Sequence, residues 1–102
     1  MRNYLIALGT AALIASGAQA ATKPMAGAEL MPLAKVSLAT ARATALHARP
    51  GRITDQELEK EGGGTGLRYS FDVMSHGKTY EVGVDAKTGK ILENKAEGAH
   101  PD

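Results

Sequence analysis

Between Leu67 and Leu92 the chain alternates apolar and polar positions with a period of two, in two runs separated by turn residues. Leu67, Tyr69, Phe71 and Val73 fall on one face of an extended segment, and Arg68, Ser70 and Asp72 on the other. Tyr80, Val82 and Val84 repeat the pattern against Glu81, Gly83 and Asp85. His76-Gly77 has the form of a two-residue hairpin loop. It would pair Ser75 with Lys78 and, counting outward, Val73 with Tyr80, Phe71 with Val82 and Tyr69 with Val84. These last three pairs set apolar against apolar. A slip of one residue would turn one strand's apolar set to the opposite face, so the turn and the pattern select the same register.

A helical pattern precedes these strands. Ser37 offers a hydroxyl N-cap to the alanine-rich run LATARATALHA, which predicts a helix over Leu38 to Ala48. Leu38, Ala41, Ala45 and Ala48 recur at spacings of three and four, giving a narrow stripe of small residues able to lie close to a sheet. Arg49-Pro50-Gly51 ends the helix, because the residue before a proline is driven out of the α region. In Arg52 to Lys60 the apolar residues Ile53 and Leu58 are five apart and cannot share a strict period-two face. A strand here needs a bulge, or a start after Ile53. The glycine cluster of Glu61 to Gly66 reads as a hairpin loop. After Val84, the run Asp85 to Lys90 supplies an aspartate for turn amides and a glycine for positive φ, and Ile91-Leu92 opens a last strand. The elements predict an α+β fold, one amphipathic helix packed on an antiparallel β-meander of three to four strands.

The N-terminus has a different character. Arg2, the uncharged apolar run Tyr4 to Ala15 and the A-x-A pattern Ala18-Gln19-Ala20 read as a secretory signal peptide cleaved between Ala20 and Ala21. The apolar run is short of the ~20 residues that span a bilayer. Residues 21–35, with Pro24, Gly27 and Pro32 among small residues, are expected to form a flexible lead, residues 36–95 the folded domain and residues 96–102 a polar tail. The formal net charge of +1 falls to about zero once Arg2 is removed, which argues against nucleic acid and anionic membranes as partners. No cysteine is present, which excludes disulfides, thiolate nucleophiles and cysteine-type zinc sites.

No pattern announces catalysis. The glycine cluster lacks the G-x-x-x-x-G-K-[ST] spacing of a phosphate cradle. His47, His76 and His100 fall on a helix flank, a hairpin tip and the tail, and Met25, Met31 and Met74 are scattered, so neither set forms a metal site. The hairpin register sets Asp72 opposite Glu81, and Arg68 opposite Asp85, on the outer sheet face. That carboxylate pair reads as a solvated, mildly repulsive one relieved by Arg68 or Lys78 rather than as an acid/base pair.

The alanine-rich helix leading into Pro50-Gly51, the Glu57-Leu58-Glu59 triplet, Tyr69 in its alternating strand and Gly77-Lys78 before YEVGVDAKTGKIL together resemble the PepSY repeat, from about Val36 to Leu92. The strand with V-D-A-x-T-G-K-I at its end is the most specific part. The resemblance implies a small exported single-domain relative of modules that also occur in propeptides of thermolysin-type metallopeptidases, where they inhibit the enzyme or assist its folding. No peptidase domain and no H-E-x-x-H follows in this sequence, so the resemblance implies action in trans and transfers no catalytic residue. The expected function is a periplasmic or secreted, non-enzymatic protein-binding module, without a cofactor, that regulates or inhibits an extracytoplasmic peptidase. The alternative is an envelope ligand- or metal-binding accessory protein of a membrane assembly. Arg68, Asp72, Glu81 and Leu92 are the expected partner contacts.

Overall fold

A computed structural model describes residues 25–98; the expected signal peptide and its expected cleavage between Ala20 and Ala21 lie outside the described residues. Helix α1 (Leu38–Ala48) is followed by four strands, β1 (Arg52–Lys60), β2 (Leu67–Ser75), β3 (Lys78–Asp85) and β4 (Ile91–Ala96). The strands form one antiparallel sheet in the order β1-β2-β3-β4, a meander with the helix packed on one face. The fold is α+β, as the periodicities predict.

The β2–β3 register is the one counted from the turn: Val73 faces Tyr80, Phe71 faces Val82 and Tyr69 faces Val84. His76 and Gly77 both take positive φ, the conformation that lets a two-residue loop follow the strand twist. The β1–β2 register shifts between Ile53 and Asp55. Of the two alternatives the five-residue spacing left open, the bulge is the one found, and it brings both Ile53 and Leu58 to the helix side. A second shift, between Gly83 and Val84, falls opposite Leu92 of β4.

The core is the inner sheet face closed by a thin helix. Leu58, Leu67, Tyr69, Phe71, Val73, Val82, Val84 and Ala86 are buried with Ala41 and Ala45, the two central residues of the alanine stripe. With methyl groups as its only core contacts at these positions, the helix axis can approach the sheet closely. Ser37 caps it, accepting from the Thr40 amide at 3.1 Å. Asn94 ties its other end to β4, donating to the Ala48 carbonyl while accepting from Arg49 Nε, and the Arg49 guanidinium lies 3.8 Å from the centre of the Tyr80 ring.

The lead departs from its expectation from Met25 onward. Ala28–Leu33 forms a 3₁₀ helix, and Met25, Leu30 and Met31 pack against the core. Ala26 makes a parallel bridge to Glu57, and its carbonyl accepts from the Leu58 amide at 2.9 Å. A 3₁₀ turn carries no 3.6-residue period, so the pattern gave no sign of it. Gly27 makes the approach feasible. Its φ is +85°, and a Cβ there would lie 1.7 Å from the Leu58 carbonyl oxygen. Gly27→Ala should therefore detach the lead from β1 and cost about 2 kcal/mol, seen as a lower urea midpoint with faster hydrogen exchange at the Leu58 amide.

The Tyr69 hydroxyl, buried beneath the helix entry, donates to the Val36 carbonyl at 2.6 Å. Burial also pushes its ionisation above the ordinary tyrosine value. Tyr69→Phe should cost about 1 kcal/mol in a denaturation experiment, with the secondary structure unchanged.

Candidate functional site

The sheet face opposite the helix carries most of the chain's acidic groups. The bulge at Thr54 places Asp55, Glu57 and Glu59 opposite Asp72, Ser70 and Arg68, all on this outer face. β3 adds Glu81 and β4 adds Glu93. Together they line a concave recess of about 230 Å³ open to solvent. Ser70, in the middle of β2, donates to Glu59 at 2.8 Å.

Two cations of the face, Arg68 and Lys95, converge on one point, while Arg52 stands exposed at the far end of β1. Glu93 receives Arg68 at 3.2 Å and Lys95 at 3.3 Å, and these are the ion pairs among the described residues. Asp72 and Glu81 face each other across β2 and β3 without a cation. The expected relief of this pair by Arg68 or Lys78 does not occur, because Arg68 is drawn past Gly83 toward β4. A Cβ at Gly83 would lie 3.0 Å from the Arg68 guanidinium, so the missing side chain is what lets the arginine lie flat. Asp72 is accordingly pushed above the ordinary carboxylate value by burial, with Glu97 and Asp55 adding to it. Glu81 is raised by burial and then by Glu93, Glu97 and Asp72. The carboxylates of Asp72, Glu81 and Glu97 lie within 4.8 Å of one another.

Of the four expected contacts, the structure brings Asp72 and Glu81 together at the centre of the recess. Arg68 shares their face but is only 7 % exposed, with Nη2 on the Gly62 carbonyl at 3.1 Å and Nε lacking a partner among the described residues. Its position is that of a support for the glycine loop and for Glu93. Leu92 is half-buried beside the loop, where a Cβ on Gly64 would meet its methyl groups at 3.0 and 3.1 Å. Arg68 is thus not the free side chain that the alternation suggested. Asp55, Glu57, Glu59 and Glu93 join the site instead. The first three were visible as carboxylates at alternate positions of β1; Glu93 needed the β3–β4 register, which a bulge hides.

Asp85 keeps its expected register and turn amides but not the exposure expected of the outer face. It is paired with Arg68 in register but forms no ion pair with it, and at 1 % exposure it lies under the glycine loop. Its carboxylate accepts from the Thr65 amide at 2.7 Å, the Thr65 hydroxyl at 2.8 Å and the amides of Lys87 and Thr88 at 2.8 and 3.0 Å. Burial alone would raise its ionisation; the amides of Thr65 and Lys87, the Thr65 hydroxyl and the Thr88 amide outweigh that and hold it well below the ordinary carboxylate range. The turn amides were legible in sequence, whereas Thr65 comes from a loop 20 residues away.

The four-stranded antiparallel meander thus has one face under a helix and the other open and charged. The described residues contain no helix long and apolar enough to cross a membrane. The family described as peptidase propeptide and YPEB domain, PepSY, matches residues 35–95, more than half of the chain, and the chain belongs to that family. Neither the curated proteins nor the solved structures gave a match.

Proposed function

We propose that this chain is an exported, non-enzymatic binding module that regulates or inhibits an extracytoplasmic peptidase, docking through the outer sheet face. The observation that carries this reading is the recess itself, in which carboxylates from all four strands converge while Arg68 and Lys95 are both taken by Glu93. Uncompensated like charge held on a rigid sheet favours a partner that brings basic groups. Membership of a family described by its peptidase propeptides supports a peptidase as that partner, and the apolar, uncharged run before Ala20 supports export.

The test is inhibition and saturable binding, measured against exported peptidases purified from the same source, at low and high salt. The reading expects a stoichiometric change in peptidase activity that weakens as salt screens the face. Unchanged activity with every such enzyme, at a large excess of this protein, would sink it. A second reading, an envelope metal-binding accessory, draws on the proximity of the Asp72, Glu81 and Glu97 carboxylates. Three oxygen donors fit calcium or magnesium better than zinc, and a saturable rise of Tm with calcium alone would favour it.

A further inference from the structure

The two edges of the sheet are unlike. The outer edge of β1 is strapped at its middle by the lead, through the hydrogen bond from the Leu58 amide to Ala26. The outer edge of β4 has no strand beside it among the described residues. Glu97 donates to the Thr79 carbonyl at 2.9 Å. Because ladder bonds alternate along an antiparallel strand, Glu93 and Lys95 also turn their main chain toward β3, and Asn94 and Ala96 turn theirs outward. The Asn94 side chain is meanwhile occupied at the helix end. What β4 offers is therefore main chain, flanked on the outer face by one acid and one base.

We propose that the β4 edge binds a second copy of this chain, β4 against β4 antiparallel, with Asn94 on the twofold axis. In that register Asn94 exchanges both main-chain bonds with its own counterpart, and Glu93, which also holds Arg68 and Lys95 of its own copy, stands opposite Lys95 of the other copy, twice by symmetry. Moving the axis to Glu93 or Lys95 would set like charge on like charge at the centre, so the charge order discriminates among neighbouring registers. Isologous pairing of this kind closes at two copies, because it uses the same edge of both, and the β1 edge is strapped at its middle by the lead. It joins the two acidic recesses into one continuous face and leaves the proposed peptidase contact open. One strand pair buries less than a standard interface, so the dimer is weak, with a dissociation constant of roughly 10–100 μM.

The absence of cysteine from the sequence makes the test clean. The purified protein should sediment as a concentration-dependent dimer, and Lys95→Glu, at a side chain 68 % exposed, should weaken the association at least tenfold. Ala96→Pro removes an outward N–H that β3 does not use and should also give monomers with an unchanged circular dichroism spectrum. Asn94→Cys should oxidise to a disulfide-linked dimer, because directly hydrogen-bonded partners sit at a Cα separation of about 5.5 Å, within disulfide reach; Ala96→Cys should remain reduced. A parent protein that stays monomeric at millimolar concentration overturns the proposal, as does crosslinking through Ala96→Cys in preference to Asn94→Cys.

Discussion

Asp85→Asn is expected to lower the unfolding free energy by about 2 kcal/mol and Asp85→Ala by about 3 kcal/mol, read from urea denaturation at neutral pH. The asparagine is nearly the same shape, but its carboxamide has one oxygen. That oxygen can serve the Thr65 hydroxyl and the Lys87 and Thr88 amides, which all reach Oδ1, whereas the NH₂ group then meets the Thr65 amide that donates to Oδ2. A donor facing a donor opens the loop between β1 and β2. Crowding at this spot leaves no room for relaxation: a Cβ on Gly64, at φ +56°, would lie 2.3 Å from Oδ2. The pH dependence follows from the depressed ionisation. A carboxylate held below its ordinary value of 3.8 contributes stability that is fully present above that value and is withdrawn as pH falls through it toward the folded-state value. The parent should therefore lose stability steeply below about pH 4, and Asp85→Asn should flatten that limb. If both proteins lose stability in parallel on acidification, Asp85 is not the group responsible.

Neutralising the recess should move stability and binding in opposite directions. Asp72 and Glu81 face each other without a cation, and both carboxyls are raised above their ordinary values, burial being the larger cause for each. An acid with a raised folded-state pKa disfavours the fold when ionised, and that penalty is relieved as pH falls through the raised value. Asp72→Asn with Glu81→Gln should consequently stabilise the protein at pH 7 by about 0.5 kcal/mol. Parent stability should rise slightly on mild acidification before the Asp85 contribution is lost. The same pair of changes should reduce affinity for a basic partner at least tenfold, with a smaller salt dependence. A site whose groups repel one another when empty is a common cost of function. Lower stability in the double variant, or undiminished affinity, would show that these carboxylates are structural rather than a binding surface.

Much of the architecture is legible in the residues because local rules converge there. The His76-Gly77 turn and the apolar alternation select a single β2–β3 register, and Ser37 and Pro50 bracket the helix at the limits found, Leu38–Ala48. The spacing of Ile53 and Leu58 admits a bulge or a later strand start, and the structure takes the bulge. The candidate site is half legible: Asp72 opposite Glu81 follows from the hairpin alone, while the fate of the neighbouring charges does not. Arg68 looks like a free outer-face cation in sequence, yet it is spent on Glu93 and Gly62, because Gly83 leaves a path across β3 and the β4 bulge brings Glu93 to its end.

The sequence by itself determined the helix, the central hairpin and its register, the inner face of the sheet and the family resemblance, since each rests on period, turn chemistry or an ordered set of short motifs. Only the tertiary structure decided which charges are paired, that Asp85 is buried under the loop that precedes β2, and that the lead from Met25 straps the β1 edge. These depend on contacts between residues 20 or more apart in the chain. Alternation assigns a side chain to a face but carries no information about which neighbour on that face it will reach.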